Sequence, residues 1–355
     1  MALAPWKVRL TADGSGTLGA VHATIELVDR AVGTLPLVVA AGDSNVFYVS
    51  DGTSWQTLEG PFSSTASIRA VTEGDGTWMA VAGVGGEVAT SPDKLNWTRA
   101  TDLPSNLAGF GVAYGDGRWV VVGYSTTGTT NMAYSDNDGA TWTAVTAVSG
   151  HEYEDVAYHD GLWVAVGRDG SSFAGRVVTS TDGASWTART VATTDSLYSV
   201  AYGDGLWVTV GSDAIETSSD GTSWTARTVP AIGNGGEFAE LVGVAYDGGW
   251  AAVGETADGD FYRWGIIVRS GDGTSWSDVD AGLYLPGDRS SALFDVAAAG
   301  GRLVAVGSWL TLFETFDGAL ALRSENGGVS WSQESLPAPP DGKPAIPLRT
   351  AGMVA

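Results

Sequence analysis

From Leu37 onward, short apolar runs alternate with polar, glycine-rich breaks at a nearly regular spacing. The clearest unit reads Ser199-Val-Ala-Tyr-Gly-Asp-Gly205, Leu206-Trp-Val-Thr-Val-Gly211, Ile215-Glu-Thr-Ser218 and Ser223-Trp-Thr-Ala-Arg-Thr-Val229. Short runs rich in Val, Thr and aromatic residues, bounded by Gly, Asp and Ser, predict strands. Each unit therefore predicts four strands, A to D in chain order. Strand B recurs with a bulky residue four or five places before a glycine, at Leu37, Trp78, Trp119, Trp163, Trp207, Trp250 and Leu303.

The break between C and D carries the most insistent motif, Ser180-Thr-Asp-Gly-Ala-Ser-Trp186. Close copies stand at 218–224 and 270–276. Longer ones stand at 135–142 and 324–331, with Asn137 and Asn326 at the aspartate position. Degenerate copies stand at 91–97, where Lys94 replaces the glycine, and at 49–55, without the leading serine. Asp or Asn folds its side chain onto turn amides, glycine supplies a positive φ, and the tryptophan plants the next strand in apolar surroundings. The turn tryptophans are spaced by 42, 45, 44, 38, 52 and 55 residues. A period of roughly 40–50 residues with four strands per unit is that of a β-propeller blade. The expected fold is all-β: a seven-bladed β-propeller of four-stranded antiparallel blades with an N-terminal β-hairpin-like arm.

The expected division is an arm over residues 1–36, with the turn signal Asp13-Gly-Ser-Gly16, and a propeller over 37–355. The A strands align as Ile68-Arg-Ala-Val, Phe110-Gly-Val-Ala, Glu154-Asp-Val-Ala, Tyr198-Ser-Val-Ala, Val242-Gly-Val-Ala and Phe294-Asp-Val-Ala, and Leu348-Arg-Thr-Ala351 fits the same pattern. A C-terminal strand at 346–355 is therefore expected to supply strand A of blade 1 and close the ring, removing an open sheet edge. The alternative occupant of that slot is the extended stretch 20–28.

Charge and composition narrow the function. With 18 basic and 41 acidic residues the net charge is −23, which repels phosphate backbones and argues against nucleic acid. There is no cysteine, hence no disulfide frame, thiolate metal site or cysteine nucleophile. No apolar run reaches the ~20 residues of a bilayer span, and the N-terminus lacks the basic-then-apolar pattern of a signal peptide. Synthesis in the cytoplasm without membrane insertion is the expectation. His22, His151 and His159 are too scattered to argue for a metal site or a triad, so no metal, cofactor or catalytic residue is assigned. Glu152, Glu154 and Asp155 form the nearest cluster of carboxylates for glycosidase chemistry, but no spacing rule pairs carboxylates across blades.

Ser135-Asp-Asn-Asp-Gly-Ala-Thr-Trp142 resembles the Asp-box, or bacterial neuraminidase repeat, Ser-x-Asp-x-Gly-x-Thr-Trp, apart from Asn137. The resemblance covers residues 37–355 and implies a propeller whose boxes lie at the outer edge, between the third and fourth strands and away from any active site. The family holds sialidases, other glycosidases, a photosystem assembly factor, sorting receptors and phage virion proteins, so it fixes no activity. A sialidase needs an arginine triad introduced by Arg-Ile-Pro. Here Arg9 precedes Leu10, Arg30 precedes Ala31 and Arg69 precedes Ala70, which disfavours that activity.

The repeats also suggest where a site lies. The A–B and C–D turns share one face of a propeller and are nearly constant. The B–C and D–A connections share the other face and vary, and variable loops on a rigid scaffold carry function. The longest hold the aromatics that the repeat leaves unexplained: Phe261, Tyr262, Trp264, Tyr284, Trp309, Phe313 and Phe316, with Arg263 among them. Such a set suits glycan recognition, a protein interface, or a satellite core over the edge of blades 6 and 7. A second candidate is the axis mouth, where the second A-strand position offers Arg69, Asp155, Asp295 and Arg349 to an anion, an ion or water, or to one another as pairs. The favoured function is a non-enzymatic propeller of an extracellular particle, a phage-type virion protein of the tail or capsid surface. It would contact host surface glycans or other virion subunits, the latter through the arm. The alternatives are a glycoside hydrolase acting on surface polysaccharide and an intracellular assembly factor.

Overall fold

The computed structural model describes residues 26–28, 37–42, 45–50, 54–63, 66–83, 85–104, 107–125, 130–258, 263–283, 289–311 and 316–337. They form seven four-stranded antiparallel sheets, the blades of a β-propeller. The one helical element among them is a single 3₁₀ turn, Gly233–Gly235, so no helix of the described residues is long and apolar enough to cross a membrane.

Local chemistry explains the repeat. The A–B turns of blades 2 to 5 are Asp-Gly pairs with both φ angles positive: Asp75 50° and Gly76 82°, Asp116 49° and Gly117 78°, Asp160 44° and Gly161 80°, Asp204 50° and Gly205 77°. Two positive φ values define the type I′ hairpin, whose twist matches that of the flanking strands. In the C–D turn, Gly183 N–H donates to Ser180 Oγ at 2.8 Å, while Ala184 and Ser185 N–H donate to Asp182 Oδ1 at 2.9 and 2.7 Å. The Trp186 indole N–H closes the turn on Gly183 O at 3.2 Å. Those donors, the Ser185 amide foremost, hold the Asp182 carboxyl well below its usual range. The same bonds recur at Asp220 and Asp272. Lys94 takes the left-handed position of the degenerate copy at φ 70°, with its ammonium 4.8 Å from the Trp78 ring.

Seven apolar clusters fill the seven seams between neighbouring blades. The strand-B tryptophans 78, 119, 163, 207 and 250 are buried there. A tyrosine stacks beside four of them, as Tyr158 does at 4.7 Å from Trp163. The preceding blade meets that tyrosine with a glycine, because a Cβ on Gly115 would lie 2.2 Å from the Tyr158 ring. Blade 4 has His159 at this position, and its ring stacks on Tyr202 at 3.6 Å. It is exposed but not isolated.

The ring closes differently from the expectation. Glu26–Val28 pairs antiparallel with Leu37–Ala41 and is the inner strand of blade 1, flanked by the inner strands of blades 7 and 2. The slot assigned to a C-terminal strand at 346–355 is therefore filled by the end of the 20–28 stretch. Residues 346–355 lie outside the described residues, and the boundary drawn at residue 36 cuts through blade 1. Val28 and Leu37 are close in the chain, so their antiparallel pairing carries a low loop-closure cost.

Candidate functional site

The site is set by a repeated irregularity in the inner strands. In blades 3 to 7, strand B carries Gly123, Gly167, Gly211, Gly254 or Gly307 four residues after its bulky residue. A Cβ on any of them would lie 1.8–2.0 Å from a carbonyl oxygen of the inner strand, that of Ala108, Glu152, Ser196, Glu240 or Ala292 respectively. The inner strand presses in because it holds one extra residue there, a β-bulge seen as a register shift in each blade from 2 to 7. The extra residues are Arg69, Phe110, Glu154, Tyr198, Val242 and Phe294, all half-buried. They stand near the start of successive inner strands, at the end where the variable connections lie. Arg69 on blade 2 acts electrostatically on Glu154 of blade 4, past the intervening blade, as residues around a common axis do.

This register corrects the axis mouth read from the sequence. Arg69 is level with Glu154, and Ala70 is level with Asp155; the alignment of Ile68-Arg-Ala-Val was one residue out because Ala70-Val71 matches Gly111-Val112, not Val112-Ala113. Asp155 is fully buried and accepts hydrogen bonds from Val200 N–H at 2.9 Å, Ser199 Oγ at 3.1 Å and Val156 N–H at 2.6 Å. Burial nonetheless pushes its pKa up to about 7. Ser199 Oγ in turn accepts from Val244 N–H at 3.3 Å, so blades 4, 5 and 6 are stitched together at their inner strands. Asp295 is also fully buried, with Oδ1 accepting from Val296 N–H at 2.7 Å. Neither aspartate is open to a ligand. Arg349 lies outside the described residues.

The bulge ring itself combines rings and charges. The Arg69 guanidinium lies 5.1 Å from the Phe110 ring. Arg168 is 2.8 Å from Glu152 through both Nε and Nη2, and Nη2 is 3.6 Å from Glu154. Outward from Arg168, Asp169 Oδ1 accepts the Ser171 and Ser172 amides at 3.0 and 2.9 Å and the Ser171 hydroxyl at 2.7 Å. These bonds, the hydroxyl's first, hold its pKa far below the usual range. They also fix a loop that presents Phe173 at φ 60° with 57% of its surface exposed. His151 Nε2 lies 3.3 Å from Asp169 and 3.4 Å from Arg176 Nε; burial, then Arg176, lowers its pKa. Among the described residues no group of three or more His, Asp and Glu converges as a metal site.

Three large aromatic side chains are exposed among the described residues: Tyr124, Phe173 and Phe238. All three stand on the variable face, at the end of strand B of blade 3, in the B–C loop of blade 4 and in the connection into blade 6. The sequence-predicted set near blades 6 and 7 is placed otherwise. Trp264 is 4% exposed and packs in the seam between blades 5 and 6; it is core, because its strand turns that side chain towards Leu241 and Val210. Trp309 packs on the seam between blades 6 and 7. Arg263 is ion-paired with Glu255. Phe316 opens the strand Phe316–Ser324, and Phe261, Tyr262, Tyr284 and Phe313 lie outside the described residues. Glu154 and Tyr198 were missed as mouth residues, and the strand-B glycine opposite each bulge was the available signal.

Fold and mouth together define the class: a seven-bladed β-propeller with an irregular, aromatic and charged variable face. A family described as the DUF6242 β-propeller domain matches residues 91–232, from the last turn of blade 2 to just beyond blade 5. No curated protein sequence matches the chain. Among solved structures it is similar to virginiamycin B lyase from Staphylococcus aureus in its selenomethionine form, with TM-score 0.61 and 12% identity over 80% of this chain and 91% of that one. A catalytically inactive variant of the same enzyme with quinupristin gives 0.60 and 11% over 84% and 95%. The computationally designed Ika8 protein gives 0.51 and 12% over 88% and 96%. At these identities the likeness is one of fold.

Proposed function

We propose that the chain is a non-enzymatic binding propeller of an extracellular particle, a phage-type virion protein of the tail or capsid surface, whose variable face engages host surface glycans. The observation that carries the reading is that Tyr124, Phe173 and Phe238 are each exposed on that face. Phe173 is held there in a backbone conformation unfavourable to a bulky residue, and strain of this kind concentrates at functional sites. Exposed aromatic faces stack on sugar rings. The serine–aspartate turns support the Asp-box reading, with the boxes as scaffold. Contacts with neighbouring virion subunits through residues preceding blade 1 belong to the same proposal. The test is binding of the purified protein to an array of bacterial surface glycans, with the triple variant Tyr124→Ala, Phe173→Ala, Phe238→Ala as comparison. Binding that is lost in the folded triple variant supports the proposal, and binding unchanged in it removes it.

A glycoside hydrolase remains the second reading, favoured by one observation: Glu152 and Glu154 both approach the same nitrogen of Arg168, and burial raises the pKa of Glu154, as a general acid requires. New reducing ends from a polysaccharide incubated with the protein, absent with Glu154→Gln, would establish it.

A further inference from the structure

The channel mouth holds a feature separate from the exposed aromatic rim. Glu154 projects from the bulge of blade 4, mostly buried, with 19% of its side chain exposed. Among the described residues its one ionic contact is the 3.6 Å approach of Arg168 Nη2, and no donor hydrogen-bonds to it. Glu152, two residues earlier, takes both short contacts of that guanidinium. Arg69, at the same bulge position of blade 2, also acts on its charge. Both arginines lie over rings, Arg69 over Phe110 and Arg168 over Phe173 at 5.5 Å, so their planes are held rather than free to wander. A buried carboxylate ordinarily collects hydrogen bonds. This one is loosely held by Arg168 and within the field of Arg69, two guanidiniums whose fork geometry suits a carboxylate, in a protein whose net charge of −23 elsewhere repels anions.

We propose that the mouth is a carboxylate-binding site in which a uronic-acid carboxylate takes the place of the Glu154 side chain between Arg69 and Arg168. Phe110 and Tyr198, the bulge residues on either side of Glu154, supply apolar surface for the sugar ring. Glu154 is the internal counter-charge that keeps the empty site neutral, and it competes with the ligand. Burial favours its protonated form, opposed by Arg168 and Arg69 and helped by Glu152. Asp155, the next residue, is buried beneath it and coupled to its charge, and the arginines do not titrate in the working range. Protonation of Glu154 removes the competitor, so affinity rises as the pH falls.

The test is calorimetric titration at pH 6 and pH 8 with galacturonate, with trigalacturonate and with the neutral maltotriose, each variant checked as folded by circular dichroism. Expected are binding of the acidic sugars and not of maltotriose, and a loss of about tenfold or more in Arg69→Ala and in Arg168→Ala, the worth of a charge-assisted hydrogen bond. Glu154→Gln should bind more tightly than the wild type and depend less on pH, a gain that a merely structural glutamate would not give. Binding of galacturonate and trigalacturonate alike assigns the site to the carboxylate itself; binding of the trisaccharide alone assigns it to the polymer. Failure of both acids to bind Glu154→Gln, equal binding of maltotriose, arginine variants that bind as the wild type does, or weaker binding by Glu154→Gln would each overturn the proposal. Alanine at Tyr124 and Phe238, which touch neither arginine, should leave galacturonate binding unchanged, so this site and the aromatic rim can fail separately.

Discussion

At the constant face, blades 2 to 5 turn from strand A to strand B on the same Asp-Gly pair with nearly the same φ angles, and their C–D turns reuse one hydrogen-bond set of serine with aspartate or, in blade 3, Asn137. At the variable face, the same blades carry Arg69, Phe110, Glu154 and Tyr198 near the start of their inner strands, a cation, an anion and two aromatic rings. Yet the backbone beneath is as regular as the turns: each of these residues is the extra one in a bulge at the same register. The difference is one of which atoms are constrained. The turns fix side chains because those side chains make the turn. The bulges fix only backbone, through the opposing strand, and leave the projecting side chain unconstrained by the fold. A scaffold can therefore repeat its geometry and still vary its surface chemistry.

The comparison breaks first at the strand-B glycines. Gly211→Ala should cost about 3 kcal/mol or more, because its Cβ would lie 1.8 Å from Ser196 O. Gly205→Ala, in open space at φ 77°, should cost only about 1–2 kcal/mol for its backbone conformation. Equal midpoints in urea unfolding would show that the bulge does not depend on the glycine. Next is the buried strut under the mouth. Asp155→Asn sets an amide against the Val200 N–H and should cost about 1–3 kcal/mol. The pH dependence has a definite sign: with its folded pKa at about 7 and an unfolded value near ~3.9, the folded state holds the extra proton between them. Stability from Asp155 is therefore lost as the pH rises through that window, and thermal melts of Asp155→Asn should lack that decline.

The turn carboxylates have the opposite sign. Asp182 is depressed in the folded state, so its contribution is present above the unfolded value near ~3.9 and is lost as the pH falls towards the folded one. Asp182→Ala should cost about 1 kcal/mol at neutral pH, as loss of a capping side chain does, and less in melts at acid pH. The smallest effect is a gain. Phe173→Gly relieves a positive φ and should stabilise the protein by up to about 1 kcal/mol, while weakening glycan binding if the exposed ring is part of the site. Stabilisation without loss of binding would leave Phe173 as strain with no use.

Blade count and constant face were legible in the sequence because their information is local: Asp182, its serine and its glycine hydrogen-bond within a few residues of one another. The mouth register was not, because nothing in Ile68-Arg69-Ala70 marks a bulge, and the partner strand has Ala82 where those of blades 3 to 7 have the glycine. Trp264 could not be placed from sequence, since a tryptophan near a variable loop reads alike whether its strand turns it to the seam or to solvent. Ring closure was ambiguous because two extended stretches matched the vacant slot, and pattern alone does not weigh the length of chain each must span.

That closure has a consequence for how such a molecule can change. With Glu26–Val28 joined to the sheet that its own hairpin continues, the described strands of each blade follow one another in the chain. Duplicating or deleting one stretch of gene would then add or remove a whole blade without unpicking any other. The seam between the last blade and the first, filled by Val38, Ala40 and Tyr48 against Ala297, Val304 and Val306, resembles its six sisters. A lineage built this way can alter its blade number, or exchange one variable-face blade for another, by ordinary recombination.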